Sequence, residues 1–547
     1  MTFQTSFFSL LVKEKMNKIL YIILSLLLFS LTMISCSPDD NETINEPVRK
    51  GGDAVNDVLD PVGDGINDGL DPVGDTVNDG LDTVGDTVND GLDTVGDTVN
   101  DGVGTITGGT GGGSSTTTDS TTNLTWTKQL GSSGHEFGLG VTTDSSENIY
   151  VTGLTYEDVV CPILLLQGEE CIYTNRDIIL IKYNSSGTKQ WTKHYGEDGK
   201  GVTTDSSGNI YVTSYTDSDK SDIILIKYNS SGTKQWTKQL GASSRTFGDS
   251  GFGVTPDSSG NIYLSGHTWR SNLDGKIDNS PRYRSETDLF LIKYNSSGKR
   301  QWTKQLKTPA SDRCGAVTTD SSGNIYMTGH TLGGLAGWTK PLIGQSDLFL
   351  IKFNSSGKRQ WIKQLGTSDI GPDGRTVNTW GRGVTTDSSD NIYVSGLTWG
   401  GFGGKKHEGK SDIILIKFNS SGTKKWIRQF GTSGLDWGTD SCIQAGKGVT
   451  TDSSDNIYLT GRTPGGLDGN TSSGGKDIFL VKYNSIGTKQ WTKQLGTSDN
   501  DSGESVTTDS SGNIYVTGTT QGGLDGNTNS GKDDIFLVKY DSSGTKQ

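Results

Sequence analysis

Three things are scarce in these 547 residues: surplus positive charge, histidine and long apolar runs. The formal charge is −14, and nucleic acid demands a basic surface, so it is excluded as a partner. The five histidines are scattered, with no HExxH or paired metal-ligand spacing, which removes the usual metallohydrolase signatures. No series of spans of about twenty apolar residues exists, so a multispanning membrane protein is excluded. Apolar residues are 30% of the chain, and 78 glycines lift that to about 44%, close to the globular range of roughly 45–50%. A wholly disordered chain is excluded as well.

The location of the charge says more than its size. Residues 51–103 hold fourteen Asp and no Lys, Arg or Glu, while 104–547 hold 44 basic and 44 acidic residues. The folded body is neutral, and the excess belongs to one acidic segment.

Near the N-terminus, Met16-Asn17-Lys18 and the apolar stretch Ile19–Met33 read as a signal peptide, too short for a membrane span. Met16 is the expected start, with residues 1–15 an upstream extension. The stretch ends in Met33-Ile34-Ser35-Cys36, which resembles a bacterial lipoprotein lipobox, with Met33 where Leu is preferred. The resemblance implies cleavage after residue 35, lipidation of Cys36 and anchoring of the protein by acyl burial. Ser37-Pro38-Asp39-Asp40 has no Asp directly after the cysteine and is similar to surface-export signals of some Gram-negative lipoproteins. The expected location is the bacterial outer membrane or cell surface.

After a tether, 36–50, the stalk 51–103 repeats an eleven-residue unit such as DPVGDTVNDGL. Its apolar positions recur at 4, 4, 3, the undecad period of a right-handed supercoil. Gly, Thr, Val, Asn and Asp are poor helix formers, and Asp repels Asp at i,i+4. A solvated, loosely helical spacer fits best, with self-association or calcium binding as alternatives. Residues 104–122 are a flexible Gly/Ser/Thr linker.

From 123 to 547 the chain repeats itself. Trp126, Trp191, Trp236, Trp302, Trp361, Trp426 and Trp491 each sit in a Trp-Thr-Lys or Trp-Ile-Lys/Arg segment. Seven apolar third-strand segments begin at Asp177, Asp222, Asp288, Asp347, Asp412, Asp477 and Asp534. Each period carries four strand signals joined by short Asp- or Asn-initiated turns that end in Gly. Glu147, Asp390 and Asp455 replace that Gly in three first turns, and Glu tolerates a left-handed backbone least, so blade one should be the most strained.

Third strands such as Ile223–Ile226 are apolar on consecutive residues and belong between neighbours; the alternating fourth strand belongs outside, its Trp between blades. The fold class is therefore all-β, a seven-bladed β-propeller with four-stranded blades. The orphan strand Leu124–Leu130 should complete blade seven by pairing with Asp534–Tyr540, removing the open edges.

The segments D-S-S-G-N-I-Y-V-T-G and D-I-F-L-V-K-Y resemble the bacterial SBBP β-propeller repeat family across 124–547. The resemblance implies a secreted or surface propeller and supplies no catalytic residues. The N-S-S-G-T-K-Q-W hairpin is similar to the Gly…Trp element of pyrroloquinoline-quinone-type propellers, which include outer-membrane assembly lipoproteins.

In such a blade the 1–2 and 3–4 turns share one face, and here they are short and uniform. The 2–3 and 4–1 loops share the other and vary, so that face is the candidate ligand site. It carries Trp269, Trp338, Trp380, Trp399 and Trp437, joined by Arg270, His267, His330, His407 and Phe402. Aromatics among polar groups suit a glycan or protein ligand. The plainer alternative has these Trp plugging the channel or stapling their own loops.

Two loops, Asp468-Gly469-Asn470 onward and Asp525-Gly526-Asn527 onward, place Asn529, Asp477, Asp533 and Asp534 near alternating oxygens that could ligate a structural calcium ion. Gly sits at position seven, not six, and ordinary Asx-turns explain the loops equally. Cys161 and Cys171 share one loop and are candidates for a disulfide, whereas Cys314 and Cys442 stay free. Gly248-Asp249-Ser250-Gly251 resembles a serine-protease motif without any of its companions, and no enzyme is expected. The reading is a lipid-anchored binding or adhesion module, with an envelope-assembly scaffold or a glycan-active enzyme as rivals.

Overall fold

The structure, a computed structural model, describes residues 126–157, 174–195, 198–216, 222–241, 250–269, 287–306, 310–335, 346–366, 377–409, 411–433 and 448–547. The signal segment, tether, stalk and linker, with Cys36, lie outside them, as do Cys161, Cys171, Arg270, Trp338, Trp437 and Cys442. Among the described residues no helix is long and apolar enough to cross a membrane.

Twenty-eight strands form seven antiparallel four-stranded sheets. Blades one to six occupy 135–195, 198–240, 250–306, 312–365, 379–430 and 449–495. Blade seven takes its three inner strands from 501–540, and Lys128–Leu130 supplies its outer strand by pairing with Asp534–Tyr540. Trp126 N–H donates to the Gln547 carbonyl at 2.7 Å. The fourth strand of this blade is thus built flush from both ends of 126–547, as the orphan strand required.

Burial follows the residue pattern. Ile223, Ile224, Leu225 and Ile226 are each at most 4% exposed, because a third strand is covered on both sides by neighbouring blades. The outer strand Lys234–Leu240 has no buried residue. Its Trp236 rests on the turn of the next blade, where a Cβ on Gly298 (φ +80°) would come within 3.0 Å of the indole. Only glycine provides both that backbone angle and that clearance. The contact recurs from Trp126–Gly187 to Trp491–Gly544, one per blade boundary. Beside it, third-strand lysines reach forward: Lys182, Lys227, Lys293, Lys352, Lys417 and Lys482 donate to serine carbonyls of the next 3–4 turn at 2.8–3.3 Å.

Each second strand opens with a buried Tyr whose hydroxyl donates to the Asp of its own first turn, as in Tyr211 to Asp205 at 2.9 Å. The same carboxylate accepts from Asn209 and from Ser207 N–H. All seven blades repeat the Tyr–Asp bond. These Asp are turn formers, fully engaged by the scaffold.

The three first turns without Gly do adopt positive φ, at +60° for Glu147, +59° for Asp390 and +60° for Asp455. Blade one is no more distorted than the others. Each acidic side chain reaches the preceding blade's turn: Glu147 accepts from Ser510 and Ser511, Asp390 from Ser321, and Asp455 from Ser388. These inter-blade bonds offset the conformational cost.

On the same side, inner strands are laced together by threonine hydroxyls. Thr204 donates to the Thr143 carbonyl, Thr143 to Thr508, Thr508 to Thr451, Thr451 to Thr386, Thr386 to Thr319 and Thr319 to Pro256, at 2.8–3.2 Å. The seventh link is missing because blade three has Pro256, which carries no hydroxyl. Thr386→Val keeps the shape and removes one donor, so it should cost about 1 kcal/mol. Denaturant titration measures this, and an unchanged midpoint would remove the belt from the account of stability.

Candidate functional site

The inner strands approach so closely that side chains are nearly excluded from the axis. A Cβ on Gly253 would lie 2.9 Å from Val317 N in the next blade. Glycines and valines of several blades, with Ala316 and Ser505, enclose an axial cavity of only about 20 Å³. That is room for a water, so no ligand threads the ring at this depth.

One register position breaks the uniformity. In blades one to five and seven the inner strand carries a β-bulge, and its extra residue is Leu139, Lys200, Phe252, Gly315, Arg382 or Glu504. Lys447 occupies the same sequence position in blade six. Bulges re-aim a side chain out of the ladder. The signal is present in sequence as Gly-x-Gly-Val with a changing x in blades one, two, three, five and six, and as Cys-Gly-Ala-Val and Gly-Glu-Ser-Val in blades four and seven, which a strand-level reading passes over.

The second strand adds one variable residue per blade, facing the next: Leu154, Tyr215, His267, His330, Leu397, Arg462 and Thr519. Cross-strand partners include Arg313 opposite His330, Trp380 opposite Leu397 and Phe137 opposite Leu154. These positions together form the axial mouth on the variable-loop side.

The mouth is polarised. Lys200 and Arg382 are 2% and 5% exposed, the lysine ammonium lying 4.9 Å from the Tyr215 ring centre. His267 is buried, and burial together with the nearby charges of Arg313 and Lys200 pushes its pKa down to about 3; it is a neutral group. Glu504, Glu136 and Asp501 supply the acidic side. Burial raises the carboxyl pKa of Glu136 and of Asp501, which weakens the negative charge there.

Of the residues expected at the face, the structure brings together His330, Trp380 and Trp399. His330 stacks on Trp380 at 4.8 Å and 18°, while Trp399 meets the same indole edge-on at 4.7 Å. The Arg382 guanidinium lies 4.8 Å from the Trp380 ring centre. An indole so engaged has little free face for a sugar, and it acts instead to hold His330 and Arg382. Trp399 and Trp380 are half-buried. Trp269 ends the second strand of blade three.

Two candidates sit elsewhere. Phe402 is 2% exposed and packs with Phe418 and Ile427 in the core, its N–H bonded to Gln429. It is a packing residue, because Leu335, Leu467 and Leu524 fill the same slot in blades four, six and seven. His407 Nδ1 lies 3.3 Å from Asp412 and ties its loop to the third strand. At the blade seven–one boundary, a cavity of about 300 Å³ is lined by Leu130, Glu136, Ile179 and His194. There His194 bonds the third-strand Asp177 as Gln429 bonds Asp412.

The calcium-type loops give part of their oxygens to protein partners, while Asp477 Oδ1, Asp534 Oδ1 and Asn529 Oδ1 are buried without a hydrogen bond. Asp468 and Asp525, both at positive φ, pair with Lys489 and Thr492 and with Lys546 and Thr127. Asp477 accepts from Ser473 N–H and Gln494, Asp534 from Ser530 N–H and Gln129, and Asp533 from His135 and Gln521. Asn470, Asn527 and Asn529 donate to backbone carbonyls. Among the described residues no three His, Cys, Asp or Glu gather to hold a metal. Cys314 is a free, buried thiol, pushed up to about 12 by burial, so it is inert.

Sheet order and blade-to-blade contacts define a repeat-built seven-bladed β-propeller whose individuality is concentrated at one mouth. Six segments, 125–158, 191–219, 235–274, 301–336, 360–403 and 490–525, match the family described as SBBP, beta-propeller repeat. Those six segments carry SBBP repeats, and the chain folds as a seven-bladed propeller. Among curated proteins it is similar to an uncharacterized WD repeat-containing protein of Acanthamoeba polyphaga mimivirus, 25% identical over 77% of this chain and 34% of that protein. The chain thus spans about a third of that relative's length. Solved structures to which it is similar include BamB from Moraxella catarrhalis, 11% identical with a TM-score of 0.33 over 76% of this chain and 96% of that one. A polysaccharide lyase, an ulvan lyase, is 15% identical with a TM-score of 0.39 over 64% and 84%. These likenesses concern the fold alone.

Proposed function

We propose that this propeller is a lipid-anchored binding or adhesion module of the bacterial cell surface, which takes its ligand at the axial mouth. One observation carries the reading. On a scaffold that repeats its Trp, Gly, Tyr and Asp seven times, the bulge residue changes from Leu to Lys to Arg to Glu at a fixed place beside one variable residue of the second strand. Buried charges are costly, and departures from the local rule of a fold concentrate at functional sites.

The test is a glycan and protein binding screen with the full chain, repeated after Trp399→Ala and Arg382→Gln. A Ser207→Ala variant on the uniform face serves as control. Binding should fall at least about tenfold in the mouth variants and stay unchanged in the control. Ligands that bind all four proteins equally would move the site elsewhere.

A further inference from the structure

We infer that the ligand of this mouth is an acidic glycan, a polymer bearing carboxylate or sulfate groups. The inference rests on the binding reading above and names the ligand class for the same site. Lys200, Arg313, Arg382 and Arg462 all fall at mouth positions of blades two, four, five and six. The body is charge-balanced, so this grouping does not come from a generally basic protein. Arg313 is exposed, and among the described residues it has no ion-pair partner. Its neighbour His267 is buried and uncharged, so it adds no charge of its own to the mouth. Of the buried acids of the mouth, Glu504, Glu136 and Asp501 belong to blades seven and one, and Asp312 to blade four, where it precedes Arg313.

Guanidinium groups match carboxylate and sulfate with two parallel hydrogen bonds. Around them stand half-buried rings suited to sugar faces: Tyr215, Trp399, and the Phe137–Tyr156 stack at 5.5 Å. Because the axis is closed to about 20 Å³ below, the polymer lies across the mouth, alternating ring contacts with charged contacts. Nucleic acid would need a far broader basic surface.

The experiment measures binding of the full chain to polygalacturonate, dextran sulfate and uncharged dextran of matched length. Variants are Arg313→Ala, Arg382→Gln and, on the uniform face, Lys299→Ala. Thermal melts check that each variant is folded, and exposed Arg313 carries the result if Arg382→Gln does not fold. Acidic polymer should bind at low salt, weaken as salt rises, and lose about tenfold or more in Arg313→Ala. Lys299→Ala should bind as the parent does, and dextran should not bind. The two acidic polymers separate a carboxylate site from a sulfate site. Equal loss in Lys299→Ala, or no binding of either acidic polymer, would overturn the inference. Binding of dextran, or of a protein, that depends on Trp399 but not Arg313 would overturn it while leaving the binding module intact. A ligand indifferent to every mouth substitution would sink both.

Discussion

Raising the pH above 10 should unfold this protein within a narrow interval. Seven buried tyrosines, Tyr150, Tyr211, Tyr263, Tyr326, Tyr393, Tyr458 and Tyr515, are 0% exposed and donate to turn carboxylates. Burial first, and the adjacent Asp second, raise every one of their pKa values. Tyr183 is raised to about 12 by burial alone. A folded-state pKa above the unfolded value of about 10 means the native state keeps protons that the unfolded chain gives up. The stabilisation is complete below about pH 10 and is lost as pH climbs toward the folded values. Each tyrosine contributes about 1.4 kcal/mol per pH unit, and seven together roughly 10 kcal/mol, comparable to a whole folding free energy of about 5–15 kcal/mol. Tyrosinate absorbance and circular dichroism should change together in one transition. Tyr294, Tyr483 and Tyr540 are raised by burial too, so Tyr326→Phe, one of eleven such groups, should make the pH dependence shallower by about a tenth of its slope. Tyrosines that titrate near 10 with the fold intact would refute this account.

Deleting 126–131 should be the most damaging change to the scaffold. It uncovers the edge of the third strand at Ile535–Leu537, opens the Trp126–Gly187 contact, and removes Gln129, which binds Leu524 N–H and Asp534. Loss of the Trp126 and Leu130 packing alone is worth about 3–5 kcal/mol or more, and bare edges template aggregation. The expected product is aggregated and cleaved by protease within blade seven. A monomeric deletion variant with unchanged melting would show that ring closure is dispensable.

Much of this architecture is legible in sequence because repetition averages out local ambiguity. Seven copies of an apolar third strand and a Trp-bearing fourth strand leave little choice of fold. The outcome for Leu124–Leu130 followed from strand order alone. The site was harder to read, for physical reasons. Phe402 lies in a variable loop and reads as exposed, yet the loop folds inward because Gln429 captures its backbone. Trp380 reads as a ligand platform, yet His330 from the preceding blade and Arg382, two residues on across the bulge, already occupy it. The bulge ring is harder to read because its one extra residue sits in a short Gly-rich stretch, too short for the shift in strand alternation to stand out.

The flush meeting of Gln547 and Trp126 has a topological consequence. Spatially, Gly544-Thr545-Lys546-Gln547 runs on into Trp126-Thr127-Lys128-Gln129-Leu130, the same hairpin that other blades make covalently. Every boundary in the ring also presents unlike surfaces, an indole on one side and a glycine turn on the other, so blades associate head to tail and closure alone limits their number. The break in the chain marks no special interface. The ring has a direction of travel but no first blade, and a circular permutant joined from Gln547 to Trp126 and opened at any 3–4 turn describes the same object.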